Sequence, residues 1–218
     1  MSLTSSYNIK TEKLVKYFGR RLIFNNLDLE FSSGNIYGVS GPNGSGKSTF
    51  VKIISDLISP TRGKVQHFLN NKQIVSENIH AHLGFVSPYL FLYDEFTAEE
   101  NINHFARIRG INNYRDYSDQ LFNDFGLFER KGDLVKGYSS GMKQRLKFIF
   151  ALFHSPQLLI FDEPTSNLDN SGKDIVYKKI AEAGKNCLVI VASNEENDLS
   201  LCGNIIDLEK YKMINTTK

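Results

Sequence analysis

The chain has 218 residues, 41% hydrophobic and 23% charged, with a formal net charge of +2. That length suits one large domain, or a domain with a sub-domain, around a sizeable buried core. The near-neutral balance gives no nucleic-acid stripe and no polybasic membrane patch, so no nucleic-acid partner is expected. Cys187 and Cys202 are too few for a disulfide scaffold, and Cys187, in an apolar run, reads as a buried reduced thiol. No apolar run approaches the about 20 residues that cross a bilayer. The N-terminus lacks the apolar stretch of a secretory signal, and a cytosolic chain is expected.

In chain order, Tyr7 to Phe31 predicts strands, with Leu27-Asp28-Leu29-Glu30-Phe31 alternating at period two. Ser32-Ser33-Gly34-Asn35 is a turn before an apolar run, Ile36 to Val39. Then comes Gly41-Pro42-Asn43-Gly44-Ser45-Gly46-Lys47-Ser48-Thr49, followed by a helical pattern of Phe50, Ile53, Ile54, Leu57 and Ile58. Between a strand and a helix, such a string is a phosphate-binding loop. Its glycines let backbone N–H groups converge on an anion, and the helix adds the positive end of its dipole. Lys47 can reach the β- and γ-phosphates, and the Ser48 hydroxyl can coordinate Mg²⁺.

Val65 to Leu69 and Leu83 to Val86 predict two further strands, and the middle of the chain is helical. Thr97-Ala98-Glu99-Glu100 is a capping box that opens a helix carrying Ile102, Phe105 and Ala106 on one face. Tyr117, Leu121, Phe122 and Phe125 recur at helical spacing, as do Met142, Leu146, Ile149, Phe150 and Phe153. Leu158-Leu159-Ile160-Phe161 is apolar on both faces, as a central strand requires, and ends in Asp162-Glu163-Pro164. A helix from about Asn170 to Ala183 and strands at Leu188–Val191 and Ile205–Leu208 complete the pattern. Asp162, at the carboxyl end of its strand, is placed to hold Mg²⁺, and Glu163 to polarise the water that attacks the γ-phosphate. The five histidines read as surface or structural residues, and no Cys/His spacing suggests zinc.

Tyr138-Ser139-Ser140-Gly141-Met142-Lys143-Gln144-Arg145 precedes the carboxylate strand, and Ser166-Asn167-Leu168-Asp169 follows it. With Gly41 to Thr49, in this order and spacing, these segments resemble the ATP-binding cassette (ABC) ATPases across almost the whole chain. The resemblance implies one domain over residues 4–218: an α/β P-loop NTPase core with a mostly parallel sheet, an N-terminal antiparallel β subdomain and an inserted α-helical subdomain. The β region and core would cover about 4–90 and 136–218, and the helices about 91–135. It also implies a second ABC ATPase subunit, the same chain or another, with ATP at the interface. Ser139 and Gly141 would face the γ-phosphate held by that partner, Asp169 would link the two sites, and Phe18 would stack on adenine. The form of the signature is similar to exporter-type systems, with a separate transmembrane permease. The chain would then be peripheral on the cytoplasmic face of the membrane.

Two positions depart from the family pattern. Pro88 stands where a glutamine is expected, offering neither a side-chain oxygen nor an N–H. Asn194 stands where a histidine is expected; it can donate to a phosphate oxygen but carries no charge. ATP binding with slow hydrolysis is the expectation, as a transport ATPase whose catalytic residues are Lys47, Glu163 and Asn194. The alternatives are a nucleotide switch and an ABC ATPase outside transport.

Overall fold

The computed structural model describes residues 5–212. The expected domain limits at residue 4 and at 213–218 lie outside them. The chain begins with a hairpin, β1 (Tyr7–Phe18) and β2 (Arg21–Ser32), then runs through β3 (Asn35–Ser40) into α1 (Lys47–Ile54). Next come β4 (Arg62–Leu69), β5 (Lys72–Ile74), α2 (Ser76–Ile79) and β6 (Leu83–Val86). Two helices follow, α3 (Ala98–Ile108) and α4 (Arg115–Asp124), then α5 (Ser140–Leu152) and β7 (Leu158–Asp162). The last elements are α6 (Asn170–Ala183), β8 (Leu188–Ala192), α7 (Glu196–Leu199) and β9 (Asn204–Asp207).

The strands form two sheets. One is antiparallel, in the order β2-β1-β4-β5, and the other has five strands, β6-β7-β8-β3-β9, all parallel. The antiparallel sheet thus draws two of its strands from beyond the glycine-rich loop. Every residue of β7 and β8 is buried, and successive side chains enter different cores. Leu158, Ile160, Leu188 and Ile190 join Phe24, Phe50 and Ile53 beneath the antiparallel sheet and α1. Leu159, Phe161, Val189 and Val191 join Ile102, Leu121, Phe122, Leu146 and Ile149 beneath α3, α4 and α5. This period-two division is what continuous apolar runs produce when both faces of a sheet are covered.

Several local features differ from the sequence pattern: β5 and α7 were not expected, and the last strand ends at Asp207 rather than Leu208. The first helix ends at Ile54, so Leu57 and Ile58 lie beyond it, and Leu57 is exposed. The Ser55 hydroxyl donates to the Val51 carbonyl one turn back, and Asp56 adopts a left-handed φ of 57° that stops the helix. Cys187 is half-buried rather than fully buried, and its thiol donates to the Pro156 carbonyl at 3.3 Å. The Thr97 capping box has both of its hydrogen bonds. No helix among the described residues is long and apolar enough to cross a membrane.

Candidate functional site

The site lies at the carboxyl ends of β3, β7 and β8. Between β3 and α1 the loop bends through Gly41, Gly44 and Gly46, at φ of 144°, 77° and 109°. A Cβ on Gly41 would come within 2.6 Å of the Ser45 hydroxyl, and one on Gly46 within 2.4 Å of Ile23. Both positions therefore exclude side chains for conformational and steric reasons. Pro42, Asn43 and Gly44 face solvent, while Ser45 and Lys47 are buried. Thr49 lies in the first turn of α1 and is half-buried. Arg21 Nη2 donates to the Gly44 carbonyl at 3.2 Å, which ties the β1–β2 hairpin to the loop. Phe18, opposite Arg21 in that hairpin, is 52% exposed, with Lys16 Nζ 4.8 Å from its ring centre. The Phe18 ring is thus half exposed, with the Lys16 ammonium over one of its faces.

Lys47 is only 5% exposed, and its ammonium donates to the Gly41 carbonyl at 2.8 Å and lies 3.5 Å from Glu163 Oε1. Ser48 Oγ donates to Asp162 Oδ1 at 3.1 Å, across 114 positions of sequence. Asp162 is fully buried at the end of β7, and its Oδ2 has no hydrogen-bond partner. Burial raises the Asp162 carboxyl above its usual range, against the pull of the Ser48 hydroxyl and of Lys52 and Lys47. Burial also raises Glu163, and Lys47 opposes it. Glu163 sits at φ 51°, an uncommon conformation for a residue with a side chain, and its N–H donates to the Ala192 carbonyl at 2.8 Å. A bare buried carboxylate oxygen beside a hydroxyl fits a hard divalent cation such as Mg²⁺, and the loop's concavity with its buried cation fits a polyphosphate.

Ser139, Gly141 and Asp169 form a second group. Ser139 caps α5, accepting from the Met142 N–H at 3.2 Å, and Asp169 caps α6, accepting from the Gly172 N–H at 2.9 Å. The Cβ position of Gly141 lies 3.2 Å from the Asn167 carbonyl oxygen, so the two segments meet on one surface. Asn194 is exposed and Pro88 is exposed. Ser87 is buried, and its hydroxyl accepts from the Tyr89 N–H at 3.2 Å.

Three residues had no assignment in the sequence. Ser193, Thr165 and the buried Asp198 sit directly behind Glu163, joined by hydroxyl-to-carboxylate hydrogen bonds. Asp198 lies in a polar stretch, Asn194-Glu195-Glu196-Asn197-Asp198, that reads as a solvated loop, and no local pattern marks it. Arg21 is the other contributor that no motif signals.

The fold and this loop define a P-loop nucleotide-binding α/β protein. The family model described as ABC transporter matches residues 24–166, and the chain belongs to that family. It is 35% identical to the bacitracin transport ATP-binding protein BcrA of Bacillus licheniformis, over 85% of this chain and 61% of that protein. It is 29% identical to the daunorubicin/doxorubicin resistance ATP-binding protein DrrA of Streptomyces peucetius, over 87% of this chain and 59% of that one. The chain thus spans about three fifths of the length of these relatives. Its fold is similar to that of an ATP binding subunit of an ABC transporter, with a TM-score of 0.82 at 23% identity, covering 91% of this chain and 85% of that one.

Proposed function

We propose that the chain is the ATP-binding and ATP-hydrolysing subunit of an ABC transporter that energises export through a separate membrane permease. The observation that carries this reading is the junction of Lys47 and Ser48 with Glu163 and Asp162, two segments far apart in sequence that meet as a cation, a hydroxyl and two carboxylates. The names of the relatives support the transport role, since bacitracin transport and drug resistance are what those ATP-binding proteins are called.

On this reading the loop from Gly41 to Thr49 holds the phosphates of ATP, and Lys47 leaves Glu163 for them. Ser48 Oγ and the unpartnered Asp162 Oδ2 hold Mg²⁺. When bound, the ion neutralises charge that develops on the phosphate oxygens. Glu163, released from Lys47, orients the attacking water and takes its proton. Phe18 stacks on adenine. Asn194, as a neutral donor, stabilises a γ-phosphate oxygen less well than a charged group. Residues 91–135 form a helical subdomain within a single domain over 4–218, and the chain works from the cytoplasmic face of the membrane. Ser139, Gly141 and Asp169 serve an ATP held by a second cassette.

The exposed Pro88 and Asn194 also favour a second reading, in which the chain binds ATP as a switch and turns over slowly. Mg²⁺-dependent phosphate release separates the two. Turnover is expected to fall by about 10²–10³-fold in Glu163→Gln, with ATP binding kept, and both are lost in Lys47→Ala. Turnover that survives Glu163→Gln would remove Glu163 from its role. ATP binding without turnover in the unaltered chain would favour the switch.

A further inference from the structure

Behind the carboxylates of the site lies a third acid. Asp198 is 1% exposed and accepts three hydroxyl hydrogen bonds, each from a different segment. Thr165 Oγ1, just past Glu163, reaches Oδ1 at 2.9 Å, and Tyr177 Oη, from α6, reaches the same oxygen at 3.0 Å. Ser193 Oγ, just past β8, reaches Oδ2 at 2.7 Å. A carboxylate has no hydrogen to give, so each hydroxyl must donate its own.

That requirement fixes the direction of the next link. Ser193 Oγ is also 3.4 Å from Glu163 Oε2, but a hydroxyl has one hydrogen, and the 2.7 Å contact to Asp198 takes it. The Glu195 N–H donates to Ser193 Oγ at 3.1 Å, which occupies one of its lone pairs. What Ser193 presents to Glu163 is therefore an acceptor and not a donor. We infer that Asp198 is a positioning residue for hydrolysis: it holds the hydrogen of Ser193 away from Glu163, so that Glu163 Oε2 stays free to receive a hydrogen bond from the attacking water. The inference rests on the role proposed for Glu163.

Substituting Asp198→Asn reverses the chain. Two donors converge on Oδ1 and one on Oδ2, so the amide oxygen takes the Thr165–Tyr177 side and the NH₂ faces Ser193. Ser193 then accepts from that NH₂, and its own hydrogen turns toward the nearest free acceptor, Glu163 Oε2. The carboxylate is blocked without any change at the phosphate loop.

The test is steady-state ATP hydrolysis by the full chain, with four variants measured side by side. Asp198→Asn is expected to lower kcat by about ten-fold or more while the KM for ATP stays within about two-fold. Adding Ser193→Ala to Asp198→Asn is expected to restore part of that loss, because the blocking hydrogen is gone. A purely structural role for Asp198 would give no such restoration. Equal kcat in Asp198→Asn and the unaltered chain, or a double variant no faster than Asp198→Asn, would overturn the inference. So would KM and kcat changing together. If Asp198→Asn does not fold, Ser193→Ala alone decides, and its loss must fall well short of that in Glu163→Gln. A loss as large would mean that Ser193 supports Glu163 as a donor. Glu163→Gln also separates the two failures. If that variant keeps its turnover, the role of Glu163 has failed; if it is dead while Asp198→Asn is normal, only Asp198 has.

Discussion

Asp162 shows a conflict between stability and chemistry within one side chain. Its carboxylate is fully buried, one oxygen lacks a partner, and burial raises its pKa. An acid whose folded pKa lies above its unfolded value is destabilising once ionised, so at neutral pH this charge works against the fold. Asp162→Asn keeps an acceptor for Ser48 and removes the charge. Removing the charge is expected to raise stability, less the cost of leaving the new NH₂ where Oδ2 has no partner, while abolishing Mg²⁺-dependent turnover. Thermal melts without nucleotide check the first part, and a lowered Tm would contradict it. The phosphate loop and Asp162-Glu163 were legible in the sequence because each is a contiguous string whose chemistry depends on local backbone geometry. Asp198 was not, since its partners stand 5, 21 and 33 positions away and only the packing of α7 brings them to it.

Among the elements, β7 and β8 were legible because a strand buried on both faces must be an apolar run, and α3 because its cap is written into four residues. The short β5 and α7 were not. Their sequences, Lys-Gln-Ile and Glu-Asn-Asp-Leu, carry no period, and they take their form from neighbours. Neighbours also decide how β4 and the His154 turn after α5 respond to acid. His67, on β4, is buried with its Nδ1 2.9 Å from the Tyr7 hydroxyl, and burial pushes it down to about 4. Burial pushes His154, whose Nε2 is 3.1 Å from the Leu83 carbonyl oxygen, down to about 4 as well. Both folded values lie below the ordinary 6.5, so the unfolded chain binds these protons more tightly. Their stabilisation is complete above about pH 6.5 and is lost as the pH falls toward about 4, at up to roughly 3 kcal/mol for each ring. Tm measured at about pH 7, 5.5 and 4.5 is expected to fall steadily, and a flat profile would contradict the assignment of these rings as neutral.

For the molecule as a whole, Ser139, Gly141 and Asp169 lie together on one surface, two of them as helix caps. Ser139 and Asp169 are exposed, and the contacts of all three stay within their own two segments. On the proposed reading a second cassette completes them by bringing a bound ATP. The Glu163→Gln variant, expected to bind ATP without turning it over, is expected to double its apparent mass in light scattering when ATP and Mg²⁺ are added, and to stay single with ADP. Gly141→Asp would place a carboxylate against the incoming phosphate and is expected to keep that variant single even with ATP. A mass that does not respond to ATP would argue against a shared nucleotide.

The ion pair between Lys47 and Glu163 has a consequence for what can enter the site at all. While it stands, Lys47 is held between Glu163 Oε1 and the Gly41 carbonyl, so a ligand that takes the lysine must displace that carboxylate. A neutral nucleoside has nothing with which to displace Glu163, however well its ring stacks. On the proposed reading, a guest carrying several negative charges competes best for the lysine, and in winning it sets the carboxylate free. On that reading, admission of the nucleotide and activation of the carboxylate are one event.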